Sequence, residues 1–174
     1  MCVGRLSREK RPDLALSTLR ALLSRGVDAR LSFAGSGPMR GELSRDAAGL
    51  PVAFLGHISD RARLSSIIAD ADVALAPCPA ETFGLSVLEA LASGTPAVTA
   101  DRGAAMELID SSCGRAAAVD AESMATAVLE VVALPEAERR GAARRRAESF
   151  PWTATVSAML QAHALPRRHL TGAA

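Results

Sequence analysis

Two glutamates, Glu81 and Glu89, stand with seven residues between them in Glu81-Thr82-Phe83-Gly84-Leu85-Ser86-Val87-Leu88-Glu89-Ala90-Leu91-Ala92-Ser93-Gly94-Thr95-Pro96. A carboxylate accepts hydrogen bonds from vicinal hydroxyls, the chemistry of a sugar or a ribose. In sequence Glu89 sits among Leu85, Val87, Leu88 and Leu91, where a lone carboxylate is costly unless something binds it. The stretch reads as a loop entering a short helix that ends at Gly94. Gly84 allows close approach to the backbone. The first-turn amides of Gly84, Leu85 and Ser86 are then free donors with the helix dipole behind them, which makes an anion site. A nucleotide sugar suits this set: diphosphate at the amides, sugar hydroxyls on one carboxylate, ribose hydroxyls on the other. Taken alone, Glu81 equally fits an exposed loop carboxylate.

Other residues could complete such a site. Arg5 and Lys10, five positions apart after a short apolar run, could both reach a diphosphate, one as a planar fork and one as a point charge. They also fit two solvated cations. Gly35-Ser36-Gly37-Pro38 fits both a tight turn into a helix and a loop whose Gly35 and Gly37 let a ligand near the backbone. His57, after Gly56, could serve as a general base. It also fits a pocket wall, with Gly56-His57-Ile58 as a shelf for a nucleobase.

The elements that must carry these residues alternate. Short apolar runs end near Gly4, Ala34, Gly56, Ala76, Thr99 and Val119, and helical periodicity fills the gaps between them. Strand–helix alternation predicts right-handed βαβ units: a single doubly wound, Rossmann-like α/β domain with a six-stranded parallel sheet, apolar along each strand because helices cover both faces. Ligands bind such a sheet at the carboxyl ends of its strands. Arg5, Lys10, Gly35, Gly37, His57, Ile58, Glu81, Phe83, Gly84 and Leu85 all fall there, and Glu89 follows on the helix. That convergence on one edge is the argument for a site.

Composition bounds the partners. The 174 residues carry 20 Lys plus Arg against 19 Asp plus Glu, a balance with no footprint for nucleic acid. Cys2, Cys78 and Cys113 have neither disulfide nor zinc spacing, and are expected to be free thiols in a reducing compartment. No uncharged apolar run approaches the roughly 18 residues that span a bilayer. The charge-dense run Glu136 to Arg146 reads as a solvated helix face laced with Glu–Arg pairs; contact with an anionic membrane is the alternative.

The Glu81 to Pro96 stretch resembles the E-x7-E signature of group 1 retaining glycosyltransferases with the GT-B fold. Val3-Gly4-Arg5-Leu6, Lys10-Arg11-Pro12, Ala34-Gly35-Ser36-Gly37-Pro38, Phe54-Leu55-Gly56-His57-Ile58, Ala71-Asp72-Val73, Gly103-Ala104-Ala105-Met106-Glu107 and Trp152 follow in the family's order. The resemblance implies the carboxy-terminal, donor-binding half of a GT-B fold. It assigns Arg5 and Lys10 to the departing diphosphate, Glu81 to the donor hexose, and the amides around Phe83, Gly84 and Leu85 to sugar and phosphate. It gives Glu89 the ribose diol and the Gly56-His57-Ile58 segment the base. Catalysis then rests on Arg5, Lys10 and Glu81, with no cofactor and no metal. Gly4 to Pro12 and Ala76 to Gly84 look like actinobacterial α-mannosyltransferases that use GDP-mannose and act on lipid-linked or glycolipid acceptors; a UDP-sugar enzyme could carry nearly the same stretches.

One departure is Gly103-Ala104, where the family has paired glycines. The other is the absence of the amino-terminal acceptor domain. Residues 1–165 are therefore expected to form a donor domain and 166–174 a polar tail. The expected partners are a nucleoside diphosphate sugar, the amino-terminal GT-B domain and, through a lipid acceptor, the inner face of a membrane in the cytoplasm. The alternative is a non-catalytic nucleotide-sugar-binding module.

Overall fold

The apolar runs become six strands in the computed structural model, which describes residues 1–163. They are β1 (Cys2–Val3), β2 (Leu31–Ala34), β3 (Val52–Gly56), β4 (Ala74–Ala76), β5 (Ala97–Ala100) and β6 (Gly114–Ala117). Between and after them come α1 (Pro12–Ser24), α2 (Arg40–Asp46), α3 (Arg61–Ala69), α4 (Leu85–Ala92), α5 (Ala121–Val132), α6 (Glu136–Glu148) and α7 (Trp152–Ala162). Two 3-10 helices, Arg8–Lys10 and Ala104–Leu108, follow β1 and β5. Local chemistry sets the ends: Pro12 occupies the first turn of α1, and the Asp60 and Asp120 carboxylates cap α3 and α5. The expected tail, 166–174, lies outside the described residues.

All pairings are parallel, but the expected six-stranded sheet is two three-stranded ones, β3-β2-β1 and β4-β5-β6. They abut at β1 and β4. There the Leu75 N–H donates to the Met1 carbonyl at 2.7 Å, and the Met1 amine donates to the Val73 carbonyl at 2.6 Å. With two residues, β1 is too short to extend a regular ladder on its second edge. Edge strand β3 also departs from expectation: Val52 and Phe54 are half-buried while Ala53 and Leu55 are exposed, the alternation of a strand covered on one face.

Alternate residues of a strand feed opposite faces. Cys2, Leu31, Phe33, Leu75 and Val98 join Leu16 and Leu19 of α1, Leu43 of α2, and Met124 and Val131 of α5. Ala74 and Ala97 join Ile68 of α3, Val87 and Leu91 of α4, and Ala142 and Ala143 of α6. Each fully buried Leu, Val or Phe is worth about 1.5–3 kcal/mol. Cys2, Cys78 and Cys113 are free and buried.

Helix α6 corrects the reading of its charge run. Glu136–Arg140 and Arg144–Glu148 are indeed i,i+4 pairs. The arginines also reach the carboxyl ends of four other helices. Arg139, 6% exposed, donates to the Val132 and Leu134 carbonyls after α5. Arg140 donates to Ala69 and Ala71 after α3, Arg144 to Ala92 of α4, and Arg146 to Glu107 and Leu108 of the second 3-10 helix. Helix ends leave carbonyls unpaired, and guanidinium forks satisfy them. The helix is a clamp more than a solvated face. No helix among the described residues is long and apolar enough to cross a membrane.

Candidate functional site

Lys10 closes the first 3-10 helix, and the residue after it is bent. Pro12 disfavours the right-handed helical region at Arg11, which adopts φ 54°, the one positive φ outside glycine among the described residues. That conformation costs about 1–2 kcal/mol. A two-pronged contact offsets it: Arg11 Nε and Nη2 donate to the Asp13 carboxylate at 3.1 and 2.9 Å. The bend turns Lys10 toward the loop after β4, where its Nζ donates to Glu81 Oε2 at 2.8 Å. The Glu81 hydrogen bond and charge raise the Lys10 pKa against the opposing effect of burial. Burial pushes the Glu81 carboxyl up, but Lys10 and the Phe83 and Thr82 amides outweigh it and hold its pKa below the ordinary value.

The loop of Glu81 is gripped from behind. Ala104 N–H donates to the Glu81 carbonyl at 2.8 Å, and Gly103 sits at φ 81° with no room for a side chain: a Cβ would lie 2.9 Å from the Pro79 carbonyl and 3.0 Å from that of Glu81. Gly84, left-handed at φ 94°, precedes α4, and its carbonyl accepts from Val87 and Leu88. Phe83 and Leu85 are 44% and 54% exposed on the rim.

Glu89 is exposed, which overturns the argument from apolar surroundings. Leu85, one helical turn before it, is itself at the surface, while Val87, Ala90 and Leu91 take the buried side. This carboxylate makes no ion pair among the described residues. Arg5 is exposed and makes no ion pair among the described residues. His57 is exposed and Ile58 half-buried, beyond the end of the edge strand.

Gly35 and Gly37 answer to the chain rather than to open space. A Cβ at Gly35 would overlap the Gly4 carbonyl, and one at Gly37 the Leu6 carbonyl. The loops after β1, β2 and β3 are laced through them: Leu6 N–H donates to Ser36 O, Met39 N–H to Leu6 O and Gly35 N–H to Gly56 O. Close approach was expected, but the group that comes close is the neighbouring loop. Sequence reasoning missed Arg11 and Asp13, for which Arg-Pro-Asp was the available signal, and Arg40, stacked 3.8 Å over the Phe54 ring.

The structure thus joins Lys10 to Glu81 directly, links the loops of Gly35, Gly37 and Gly56 through backbone, and sets Gly103 against the Glu81 loop. Arg5, His57 and Glu89 stand on the same edge without mutual contacts. The arrangement is an open shelf. A cavity of about 800 Å³ lies at the opposite edge, near Met1, Leu31 and Val73, where the strands begin. The side-chain chemistry of the shelf is the cations Arg5 and Lys10, the carboxylates Glu81 and Glu89 and the imidazole of His57.

A family model for glycosyl transferases group 1 matches residues 1–133. The chain belongs to this family. A GDP-mannose-dependent alpha-(1-6)-phosphatidylinositol dimannoside mannosyltransferase of Mycobacterium tuberculosis (strain ATCC 25177 / H37Ra) is 51% identical over 157 residues, covering 90% of this chain and 41% of that protein. A glycogen synthase of M. tuberculosis (strain CDC 1551 / Oshkosh) is 35% identical over 175 residues, covering 95% of this chain and 42% of its own length. The chain therefore spans about two fifths of these relatives. Among solved structures, Anabaena Alr3699/HepE in complex with UDP superposes with a TM-score of 0.75 at 22% identity, over 94% of this chain and 48% of that one. That likeness shows the fold: the Rossmann-like half of a GT-B glycosyltransferase, as the group 1 resemblance implied.

Proposed function

We propose that the chain is the donor-binding half of a retaining glycosyltransferase that passes mannose from GDP-mannose to a lipid-linked or glycan acceptor. The observation that carries the reading is the 51% identity, over 90% of the chain, to a GDP-mannose-dependent mannosyltransferase. The shelf supports it with chemistry. Lys10 and Arg5 neutralise the diphosphate, aided by the first-turn amides of α4 around Phe83, Gly84 and Leu85. Glu81 accepts hydrogen bonds from the hexose, Glu89 from the ribose diol, and Gly56-His57-Ile58 faces the base. Gly35 and Gly37 hold the loops that present these groups.

As the glycosidic bond to the diphosphate breaks, negative charge grows on the leaving phosphate. Cations already seated on the diphosphate when the bond breaks lower the barrier because they need no further reorganisation at that step. The acceptor attacks from the face the diphosphate leaves, and the leaving phosphate takes its proton, so configuration is retained. Positive charge comes from Arg5 and Lys10, and the reaction is proposed to need neither metal nor cofactor. The protein works in the cytoplasm at the inner membrane face, where a lipid acceptor is presented.

Calorimetric titration of the 174-residue chain with GDP, UDP, ADP and their sugars tests this. GDP and GDP-mannose should bind most tightly. Equal responses to all three nucleotides would remove the case for GDP-mannose, and no response to any would end the donor reading.

A further inference from the structure

Lys10 and Glu81 are each other's partners on the shelf. Their contact is 2.8 Å, with the two side chains 34% and 17% exposed. Lys10 has one other acid nearby, Glu9 at 3.7 Å, 67% exposed. Both partners are set from behind, Lys10 by the bend at Arg11 and Glu81 by the backbone of Gly103 and Ala104. The pair is therefore a built contact between two loops.

A diphosphate that takes Lys10 strips Glu81 of its cation and leaves a half-buried carboxylate beside phosphate. A bare nucleoside diphosphate offers Glu81 nothing in return. A nucleoside diphosphate carrying a hexose offers hydroxyl donors. We propose that this ion pair makes the site prefer a nucleoside diphosphate bearing a hexose over the bare nucleoside diphosphate, with Glu81 both competing with phosphate for Lys10 and accepting the sugar. The inference rests on the donor-site reading above. It also gives product release a driving force: once the hexose has gone to the acceptor, Glu81 recovers Lys10 and the spent diphosphate loses its cation.

Calorimetry on wild type and Glu81→Gln, with GDP, GDP-mannose, UDP and UDP-glucose, tests it. Glutamine keeps the shape and loses the charge. The variant should bind the bare diphosphate about fivefold more tightly, the factor expected for releasing a partly exposed ion pair, and bind the nucleotide sugar more weakly. A merely structural Glu81 would weaken both. Lys10→Gln gives a second comparison should Glu81→Gln melt early: both ligands weaken, but the preference for the sugar-bearing one shrinks. Unchanged or weaker bare-diphosphate binding in folded Glu81→Gln, or an undiminished preference in Lys10→Gln, overturns the inference and leaves the donor reading standing. Wild type that binds none of the four ligands ends both.

Discussion

Lys10 and Glu81 lie 71 positions apart in the chain and 2.8 Å apart in space. Their types and their places after strands were legible in sequence; their pairing was not, because no local spacing rule joins the loop after β1 to the loop after β4. Glu89 was misread for a related reason. Its sequence neighbours are apolar, but a helix sorts neighbours by face, and Leu85 shares the exposed one. The pair carries a pH signature. With the Glu81 pKa lowered in the folded state, its stabilisation is full above the ordinary value of 4.5 and is lost as pH falls through the folded one. With the Lys10 pKa raised, its share is full below 10.5 and is lost as pH rises through the folded value. Asp110 and Asp120 are also lowered, so acid weakens the fold at several points. Thermal melts at neutral pH and near pH 3 should therefore show a smaller acid-induced loss in Glu81→Gln than in wild type, and equal losses would mean the pair does not stabilise the fold. The glycines make a sharper test of backbone. Gly37→Ala must displace the Leu6 carbonyl and should cost about 1–3 kcal/mol, roughly 3–10 °C in Tm. Gly41→Ala meets nothing within 4 Å inside α2 and should stabilise by about 0.5–1 kcal/mol.

At the scale of elements, the strands and helices of the sheet core were legible because periodicity and caps mark them. The clamp on α6 was not. Glu136 to Arg146 has the composition of a surface helix, and only the fold reveals that the ends of α3, α4, α5 and the second 3-10 helix converge on it. Arg146 ties α6 to the site. Its Nε and Nη2 hold the Leu108 and Glu107 carbonyls at 3.0 and 2.7 Å, on the element whose Ala105 packs against Gly84 and whose leading Gly103 lies against Glu81. Arg146→Met leaves those carbonyls without a donor. It should lower stability by about 1–3 kcal/mol and weaken nucleotide-sugar binding as the Glu81 loop loosens. Lysine should rescue little, because a point charge cannot span two carbonyls. Arg145, exposed and without a side-chain hydrogen bond among the described residues, is the control: Arg145→Ala should stay within about 0.5 kcal/mol of wild type. Binding unaffected by Arg146→Met would sever the clamp from the site.

At the scale of the molecule, the parallel order followed from βα alternation, while the seam between β1 and β4 did not, since sequence does not show that two strands will share so few bonds. The shelf is presented by loops of this one chain: after β1 for Lys10, after β4 for Glu81, after β5 for Gly103. Donor binding should therefore be a property of the 174 residues alone. Transfer is different. The shelf is open and its apolar rim at Phe83 and Leu85 faces solvent, so water would compete with an acceptor at the anomeric carbon of a donor bound there, and no wall among the described residues would orient the acceptor hydroxyl. The chain spans about two fifths of its group 1 relatives, so a second wall is expected from the remainder. Radiolabelled GDP-mannose should thus bind the 174-residue chain with little transfer to a lipid-linked acceptor, and transfer should appear once the part of a group 1 relative outside the matched region is supplied, fused or in trans. The same complementation should leave Lys10→Gln inactive if, as proposed, the charge that stabilises the leaving diphosphate comes from Lys10 and Arg5. Binding retained with no transfer in either setting would instead support the non-catalytic module, and transfer by the isolated chain would mean that one shelf is sufficient for both substrates.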